Sequence, residues 1–167
     1  ILSVPKDRRD EGMVSILSIE DNITISSWEH MKSKGLLSGK KIRQTALKWI
    51  KEAGIKCTGP KERISQLSGG NAQKVVIAKW LTRDCDILIF DEPTRGIDVG
   101  AKNEIYKLMN QLAAEGKAII MISSEMTEIL RMSDRIVVMC EGKKTGELDI
   151  SEATQENIMN MATREIE

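Results

Sequence analysis

Apolar residues follow two different periods along the chain. In the first half they recur at helical spacing, in residues 40–53 and again in a segment that begins at Ser68. In the second half, uninterrupted apolar runs at residues 87–90, 118–122 and 136–139 alternate with helical segments. Such runs are typical of parallel strands that are buried on both faces. The pattern therefore predicts an α/β fold with a three-stranded parallel sheet.

Weaker signals predict the remaining elements. Residues 1–5 read as the end of a strand, residues 6–12 as a charged loop and residues 35–39 as a turn. Ser18 is a candidate helix start, and a final helix is predicted over residues 151–162. Apolar or long side chains share one side of two helices: Ala72, Val75, Val76, Lys79 and Trp80 after Ser68, and Ile105, Leu108, Met109 and Leu112 further on.

Composition excludes several classes of protein. The 167 residues suit one domain, and 25 basic residues balance 25 acidic ones, which argues against nucleic acid as a partner. The basic helix at residues 40–51 is interpreted as a solvated face. No apolar run approaches the roughly 20 residues of a membrane span, and the first residues of the chain do not read as a basic-apolar signal segment. Three dispersed cysteines indicate reduced thiols, and a single histidine, His30, argues against a histidine-based metal site.

Two carboxylates follow the apolar run at residues 87–90. Asp91 and Glu92 would lie at the carboxyl end of a parallel strand, where such sheets place their sites. The first can hold Mg²⁺, directly or through water, and the second can act as a general base toward water. Ser124 follows the next run and is expected at the same edge. An ordinary loop cap would explain a lone aspartate, but less well the run of Asp-Glu-Pro-Thr before Gly96.

A glycine-rich turn at Ser68-Gly69-Gly70 opens a helix. Glycines let the backbone approach an anion closely, and the helix start offers N–H groups and the positive end of the helix dipole. The simpler interpretation is a serine cap beside loop glycines. The chain contains no G-x-x-x-x-G-K-[ST] phosphate loop, since none of its Gly-Lys pairs fits that pattern. It therefore carries half of an ATP site.

These motifs resemble those of ATP-binding-cassette (ABC) ATPases. Leu67 to Gly70 resembles the signature motif, and residues 87–92 resemble the Walker B strand. The run DEPTRGIDVGAK from Asp91 to Lys102, with Ser123-Ser124-Glu125, is similar to the second nucleotide-binding domain of bacterial ribose/galactose/xylose-type importers. The similarity extends from Val4 to the segment at residues 153–156. It implies part of a P-loop NTPase domain: half of the parallel-sheet core plus the helical signature subdomain.

The resemblance also implies site residues. The signature would contact an ATP held by an opposing domain, through Leu67, Ser68, Gly69, Gly70 and Gln73. Gly96, Ile97 and Asp98 would form the D-loop, which makes contacts across that dimer. Ser124 stands where many ABC proteins have a switch histidine, and Lys6 where they have a Q-loop glutamine or glutamate. Neither substitute can reproduce the usual contact. Ala72 also replaces a more usual glutamine.

The implied protein hydrolyses ATP with Mg²⁺ to drive carbohydrate uptake. Residues 1–83 would hold the Q-loop remnant and the helical subdomain, residues 84–150 the core half with Walker B, D-loop and switch position, and residues 151–167 a C-terminal helix. Partners would be the missing N-terminal part, an opposing nucleotide-binding domain, a transmembrane permease and a periplasmic sugar-binding protein. The protein would lie peripherally at the cytoplasmic face of the bacterial inner membrane, and this fragment alone would be inactive.

Two alternatives remain open from the residues. A DNA-repair or chromosome-maintenance ABC protein would place a long heptad coiled coil before such a segment, and no sustained heptad pattern is present. A non-enzymatic α/β module, for example a receiver-like domain using Asp91, would give Ser68 to Gly70 and Asp98 no role.

Overall fold

A computed structural model of the chain describes residues 1–33 and 35–163. The chain divides into two compact units, Ile1–Ile122 and Ser123–Glu167. The first unit contains β1 (Leu2–Val4), a π-helical turn (Arg8–Gly12), α1 (Ile19–Thr24) with a 3-10 extension (Ile25–Met31), β2 (Lys32–Ser33), β3 (Leu36–Leu37), α2 (Gly39–Glu52), a 3-10 turn (Ile64–Gln66), α3 (Gly69–Leu81), β4 (Ile87–Asp91), α4 (Val99–Ala114) and β5 (Ala118–Ile122). The second contains α5 (Met126–Met132), β6 (Arg135–Cys140), β7 (Lys143–Asp149), a 3-10 turn (Ile150–Glu152) and α6 (Gln155–Ala162).

The sheet of the first unit is parallel, with strand order β1-β4-β5. Val4 pairs with Phe90, and Asp91 pairs with Ile122. Val4, Leu88 and Phe90 are fully buried in the core of this unit. The central strand is thus β4, and its carboxyl end carries the Asp91-Glu92 pair. The predicted α/β fold with a parallel sheet is confirmed.

The prediction that residues 136–139 form a strand of the parallel sheet is wrong. The apolar run at residues 136–139 forms β6, which pairs antiparallel with β7 in the second unit, and β1 is the third parallel strand instead. Glu141 and Gly142 join the hairpin with φ values of 48° and 78°. Two consecutive residues with positive φ make the kind of tight turn that returns a strand antiparallel to itself. Ile136 and Val138 pack with Ile158 of α6 in the core of this unit.

The outer strand β5 was also predicted to be buried, and this is wrong. Its side chains Ile120 and Ile122 are 51% and 50% exposed, whereas Leu88 and Phe90 of β4 are fully buried. The two faces of the sheet are covered differently. Ile120 and Ile122 pair with Ile89 and Asp91, which are only half-buried on that face, whereas Leu88 and Phe90 lie on the opposite face. An apolar run does not show which face of its strand is covered.

Helix α3 is the centre of the first unit. It packs against β1, α1, α2 and α4, and nine of its 13 residues are buried. The prediction that α3 buries only one side therefore underestimates its buried surface, because neighbouring elements surround the helix. Lys79 and Trp80, predicted on the apolar side, are only half-buried, while Gln73 and Lys74 are buried.

Local differences from the predicted elements have local causes. Residues 8–12 form a π-helical turn rather than a loop, because the Asp7 carboxylate accepts hydrogen bonds from the N–H groups of Arg9 and Asp10. Within residues 35–39, Leu36–Leu37 pair with Lys32–Ser33 and Gly39 already begins α2. The final helix is interrupted before α6, where Ala153 and Thr154 are extended. Ser18 caps α1 as predicted, accepting a hydrogen bond from Asp21 N–H.

The predicted division at residues 83 and 150 follows functional parts of the chain and stays a prediction. None of the helices in residues 1–33 and 35–163 combines the length and apolar character that a membrane span requires.

Candidate functional site

The carboxyl end of β4 places Asp91 and Glu92. Asp91 is the last residue of the strand, and Glu92 N–H donates to Ile122 O at 2.9 Å, which extends the pairing with β5 by one residue. Both side chains are half-buried. The two carboxylates are therefore fixed by strand pairing on an edge of the sheet where α/β proteins hold their ligands.

The backbone of Glu92 is unusual. Its φ of 47° lies in the left-handed region that few non-glycine residues adopt. The turn is held by Arg95 N–H donating to Glu92 O at 3.1 Å and Ile97 N–H donating to Thr94 O at 3.2 Å. Thr94 and Ile97 are buried beneath it. Such held outliers concentrate at functional sites, so this geometry favours a chemical role for Glu92.

The predicted D-loop leads into α4. Asp98 is exposed, and its carboxylate accepts a hydrogen bond from Ala101 N–H at 2.9 Å, which caps the helix. Gly96 has a φ of +66° and Ile97 is buried. The loop thus presents Asp98 at the surface and anchors itself through Ile97. The predicted contact of Asp98 across a dimer remains a prediction.

The predicted signature serine occupies the N-cap position of α3 and is exposed. Its hydroxyl oxygen accepts a hydrogen bond from Asn71 Nδ2 at 3.0 Å rather than from a backbone N–H of the helix. Asn71 Oδ1 in turn accepts the Lys56 N–H at 2.9 Å. Asn71 thus fixes the Ser68 hydroxyl, a role not assigned from the sequence. The only signal was its position directly after the two glycines.

The two glycines are explained first by packing. A Cβ on Gly70 would lie 2.4 Å from Ala101 Cβ and 3.7 Å from Ile97 Cγ2, and one on Gly69 would lie 3.1 Å from an Arg8 guanidinium nitrogen. The start of α3 therefore approaches the start of α4 too closely for any side chain. This contact brings the signature and the predicted D-loop together, as the sequence could not show.

The remaining predicted signature residues differ in exposure. Leu67 and Gly69 are half-buried, Gly70 is buried and Gln73 is only 3% exposed. Burial favours a packing role for Gly70 and Gln73, and leaves Ser68 as the exposed member. Their contact with nucleotide stays a prediction.

A buried charge fixes α3 from its other side. Lys74 Nζ donates to Glu104 Oε2 on α4 at 2.6 Å and to Gly54 O after α2 at 2.9 Å. Glu104 also accepts a hydrogen bond from Lys56 Nζ at 3.3 Å. The bond from Lys74, and after it the bond from Lys56, holds the pKa of Glu104 below its ordinary value. The signature helix is thus joined to both α2 and α4.

Ser124 belongs to the second unit and is exposed. Its neighbour Ser123 makes the local structure, donating to Glu128, which is 2% exposed, and accepting from Glu125 N–H at 3.0 Å. This bonding holds the start of α5. The catalytic role predicted for Ser124 remains a prediction.

Lys6 is exposed after β1. Two residues on, Arg8 is half-buried and its Nη1 donates to Arg95 O at 2.9 Å. Sequence reasoning assigned Arg8 no role, because a charged residue in a charged segment gives no signal of its own.

Carboxylates suit Mg²⁺, which takes oxygen ligands and usually keeps water and substrate phosphates among them. Within the part of the chain that is described, no three histidine, cysteine, aspartate or glutamate residues cluster in a way that could hold a metal ion. Asp91 could supply one oxygen ligand, and its predicted role toward Mg²⁺ stays a prediction.

Comparison with known proteins fits this geometry. The family model described as ABC transporter matches residues 4–95, more than half of the chain. The chain belongs to the ABC transporter family. This ABC chain is 55% identical over 160 residues to a ribose/galactose/methyl galactoside import ATP-binding protein of Burkholderia ambifaria, covering 95% of the chain and 31% of that protein. It is 50% identical over 161 residues to a galactose/methyl galactoside import ATP-binding protein of Treponema pallidum, covering 96% of the chain and 32% of that protein. The chain thus spans about a third of the length of these curated relatives.

Solved structures show the same fold. A dimeric ATP-binding cassette in a post-hydrolysis state bound to ADP and Pi superposes with a TM-score of 0.71 and 24% identity, covering 89% of this chain and 62% of that one. An inward-facing transporter of metal-chelate type gives a TM-score of 0.79 at 14% identity, covering 96% of this chain and 62% of that one. The predicted ABC ATPase fold is confirmed, and it is a nucleotide-binding fold.

Proposed function

We propose that this chain is the C-terminal part of the second nucleotide-binding domain of a bacterial monosaccharide importer. The longer protein would hydrolyse ATP to drive carbohydrate uptake. The observation that carries this proposal is the contact of Gly70 with Ala101, which puts the exposed Ser68 beside the Asp98 loop. The names of relatives that share about half of its residues support a sugar as the cargo.

In this proposal, the start of α3 meets the γ-phosphate of an ATP held by the opposing domain. Ser68 offers a hydroxyl fixed by Asn71, and the first turn of α3 offers N–H groups without intrahelical acceptors. Asp98 makes its contact across the same interface. The Gly70 contact keeps these two exposed residues in one fixed surface.

Hydrolysis is assigned to the end of β4. Glu92 accepts a proton from the attacking water as it reaches the phosphorus, a contribution worth about 10²–10⁴ in rate. Asp91 helps to hold the Mg²⁺ that accompanies ATP. When bound, Mg²⁺ neutralises charge on the phosphate oxygens.

Two positions depart from the usual ABC pattern. Ser124 replaces the switch histidine and cannot carry an imidazolium charge, and Lys6 replaces the Q-loop acid or amide and cannot ligate a cation. We infer that this half-site senses the γ-phosphate weakly. Hydrolysis at this site therefore depends on Glu92, while Ser68 acts on the separate ATP that the opposing domain holds.

The proposal requires several partners. A preceding part of the protein supplies the phosphate loop, an opposing domain supplies the ATP that Ser68 meets, and a permease and a periplasmic sugar-binding protein complete the importer. The assembly would place this chain peripherally at the cytoplasmic face of the inner membrane.

The test is Glu92→Gln in the longer protein. The amide keeps the shape of the side chain but cannot accept the proton, so we expect turnover to fall by about 10²-fold or more while ATP binding persists. Asp91→Asn should instead weaken the Mg²⁺ dependence of nucleotide binding. Glu29→Gln is the matched control, since Glu29 is exposed and pairs only loosely, at 3.5 Å, with Lys32. Near-normal hydrolysis by the Glu92 variant would assign the base to another residue.

A further inference from the structure

The segment between β1 and α1 is fixed at both ends. The Asp7 carboxylate accepts two backbone N–H groups of the following turn at 2.8 and 3.1 Å, which also hold its pKa below the ordinary value. At the other end, Gly12 O accepts a hydrogen bond from Lys79 Nζ at 3.0 Å, and a Cβ on Gly12 would lie 3.1 Å from Val76 Cγ1. The segment therefore lies directly on α3.

From this fixed segment, Arg8 reaches across to the predicted D-loop. Its Nη1 donates to Arg95 O at 2.9 Å and its Nη2 to Gly96 O at 3.4 Å. The same Nη2 lies 3.1 Å from the position of a Cβ on Gly69. The guanidinium thus lies between the start of α3 and the loop that precedes Asp98.

The loop carbonyls have no partner in a helix or strand ladder. Gly96 has left-handed backbone geometry and lies between β4 and α4, outside any helix or strand ladder. At this exposed position water could serve as the donor, and in the structure Arg8 supplies it instead. Arginine suits two successive carbonyls, because its planar fork presents several donors at once, whereas lysine presents a single nitrogen.

We propose that Arg8 is a positioning residue that fixes the spacing between the signature and the D-loop. It holds the Gly96 loop against the Gly69 backbone, so that Ser68 and Asp98 face an opposing domain as one rigid surface. This inference rests on the proposed function for its consequence, namely ATP hydrolysis across a dimer. Its structural part, the order that Arg8 gives to the two segments, does not depend on that function.

The kinetic test uses Arg8→Met in the longer protein, with Arg9→Met as the matched control. Arg9 lies next in sequence, is exposed and would lose the same charge. We expect kcat per titrated nucleotide site to fall about tenfold in Arg8→Met, the effect of losing roughly one charge-assisted hydrogen bond. KM should change less than about twofold, because the phosphate loop of each domain sets nucleotide binding. Arg8→Lys, which keeps the charge on a single donor nitrogen, should recover part of kcat.

Amide hydrogen exchange on the same variants tests the structural part without ATP hydrolysis. We expect exchange in residues 95–101 and 68–72 to accelerate about tenfold in Arg8→Met and to stay unchanged in Arg9→Met. If Arg8→Met fails to fold, Arg8→Lys serves in its place, with a smaller acceleration confined to the same residues.

The outcomes separate the two proposals. If the unsubstituted longer protein hydrolyses no ATP, the proposed function is refuted. Amide hydrogen exchange then remains as the test of the positioning role of Arg8. Arg8 variants that match Arg9→Met in exchange overturn the positioning role, whatever happens to kcat. Faster exchange confined to the two segments, together with a lower kcat at constant KM, supports it.

Discussion

Replacing Glu104 by glutamine tests how the signature helix is held. Lys74 is a buried cation, with 4% of its side chain exposed, and its ammonium donates to Glu104 Oε2 and Gly54 O. Glutamine keeps the shape and an oxygen acceptor but removes the negative charge. The variant therefore leaves a buried ammonium with two neutral acceptors.

The expected cost follows from the burial of each partner. Breaking a fully buried ion pair costs about 3–5 kcal/mol, because one charge is left uncompensated. The Glu104 side chain is 40% exposed, so water screens the pair and the cost must be reduced. The glutamine oxygen retains a hydrogen bond worth about 1 kcal/mol. We therefore expect Glu104→Gln to lower the free energy of unfolding by about 2 kcal/mol.

Two controls give this value its meaning. Lys56 also pairs with Glu104, at 3.3 Å, but is 77% exposed, so Lys56→Met should cost at most about 1 kcal/mol. Lys74→Met removes the buried charge together with its need for a partner, and should cost about 1 kcal/mol. In Lys74→Met, the further change Glu104→Gln should then cost almost nothing.

Acid should remove the same stabilisation. The pKa of Glu104 is lower in the folded state than its ordinary value of 4.5, so the unfolded chain takes up the proton first. The stabilisation is complete above about pH 4.5 and is lost as the pH falls through the lower, folded pKa. The difference in stability between the unchanged chain and Glu104→Gln should therefore shrink in acid.

Urea unfolding followed by tryptophan fluorescence measures these effects. All three tryptophans, Trp28, Trp49 and Trp80, lie in the first unit, so the signal reports on the unit that contains the ion pair. Glu104→Gln costing no more than Lys56→Met would refute the reasoning, and so would a cost that persists unchanged in acid.

Three further predictions concern the nucleotide site. The isolated chain should bind Mg·ATP feebly and not hydrolyse it, because it contains no phosphate-loop sequence; calorimetry that detects micromolar binding would contradict this. Ser68→Arg in the longer protein should leave nucleotide binding to the open form intact but abolish uptake and ATPase activity, because the side chain is too large for the gap to the opposing domain; normal transport would reduce Ser68 to a helix cap. Gly70→Ala should destabilise the first unit by about 1–3 kcal/mol, since the new Cβ would lie 2.4 Å from Ala101 Cβ. Ala101→Gly should restore part of that loss, and urea unfolding of both variants checks it.

Local sequence determined much of this molecule. Short-range patterns predicted β4 and β5 to within a residue and placed Ser68 at a helix start. They also placed Asp91 and Glu92 at the carboxyl end of a parallel strand. These features depend on periodicity, capping and turn residues within a few positions of one another, which is why they can be read directly from the chain.

Tertiary packing decided the rest. The sequence alone could not show that β6 leaves the parallel sheet, that β5 is an edge strand, or that α3 is enclosed on nearly all sides. Whether an apolar run is buried depends on the elements that pack against its strand, and only the tertiary structure shows which elements those are.

The same holds for the surface that carries the proposed function. Arg8 contacts a carbonyl 87 positions away, and Gly70 needs its hydrogen because of Ala101 on another helix. Nothing in the local sequence around Arg8 or Ala101 signals these contacts. The sequence by itself determined which groups are present and where the strongly patterned elements, such as β4, β5 and α3, begin. The packing of α3 against α4 and the β1–α1 segment decided which of those groups share a surface, because distances between remote residues depend on how whole elements fit together.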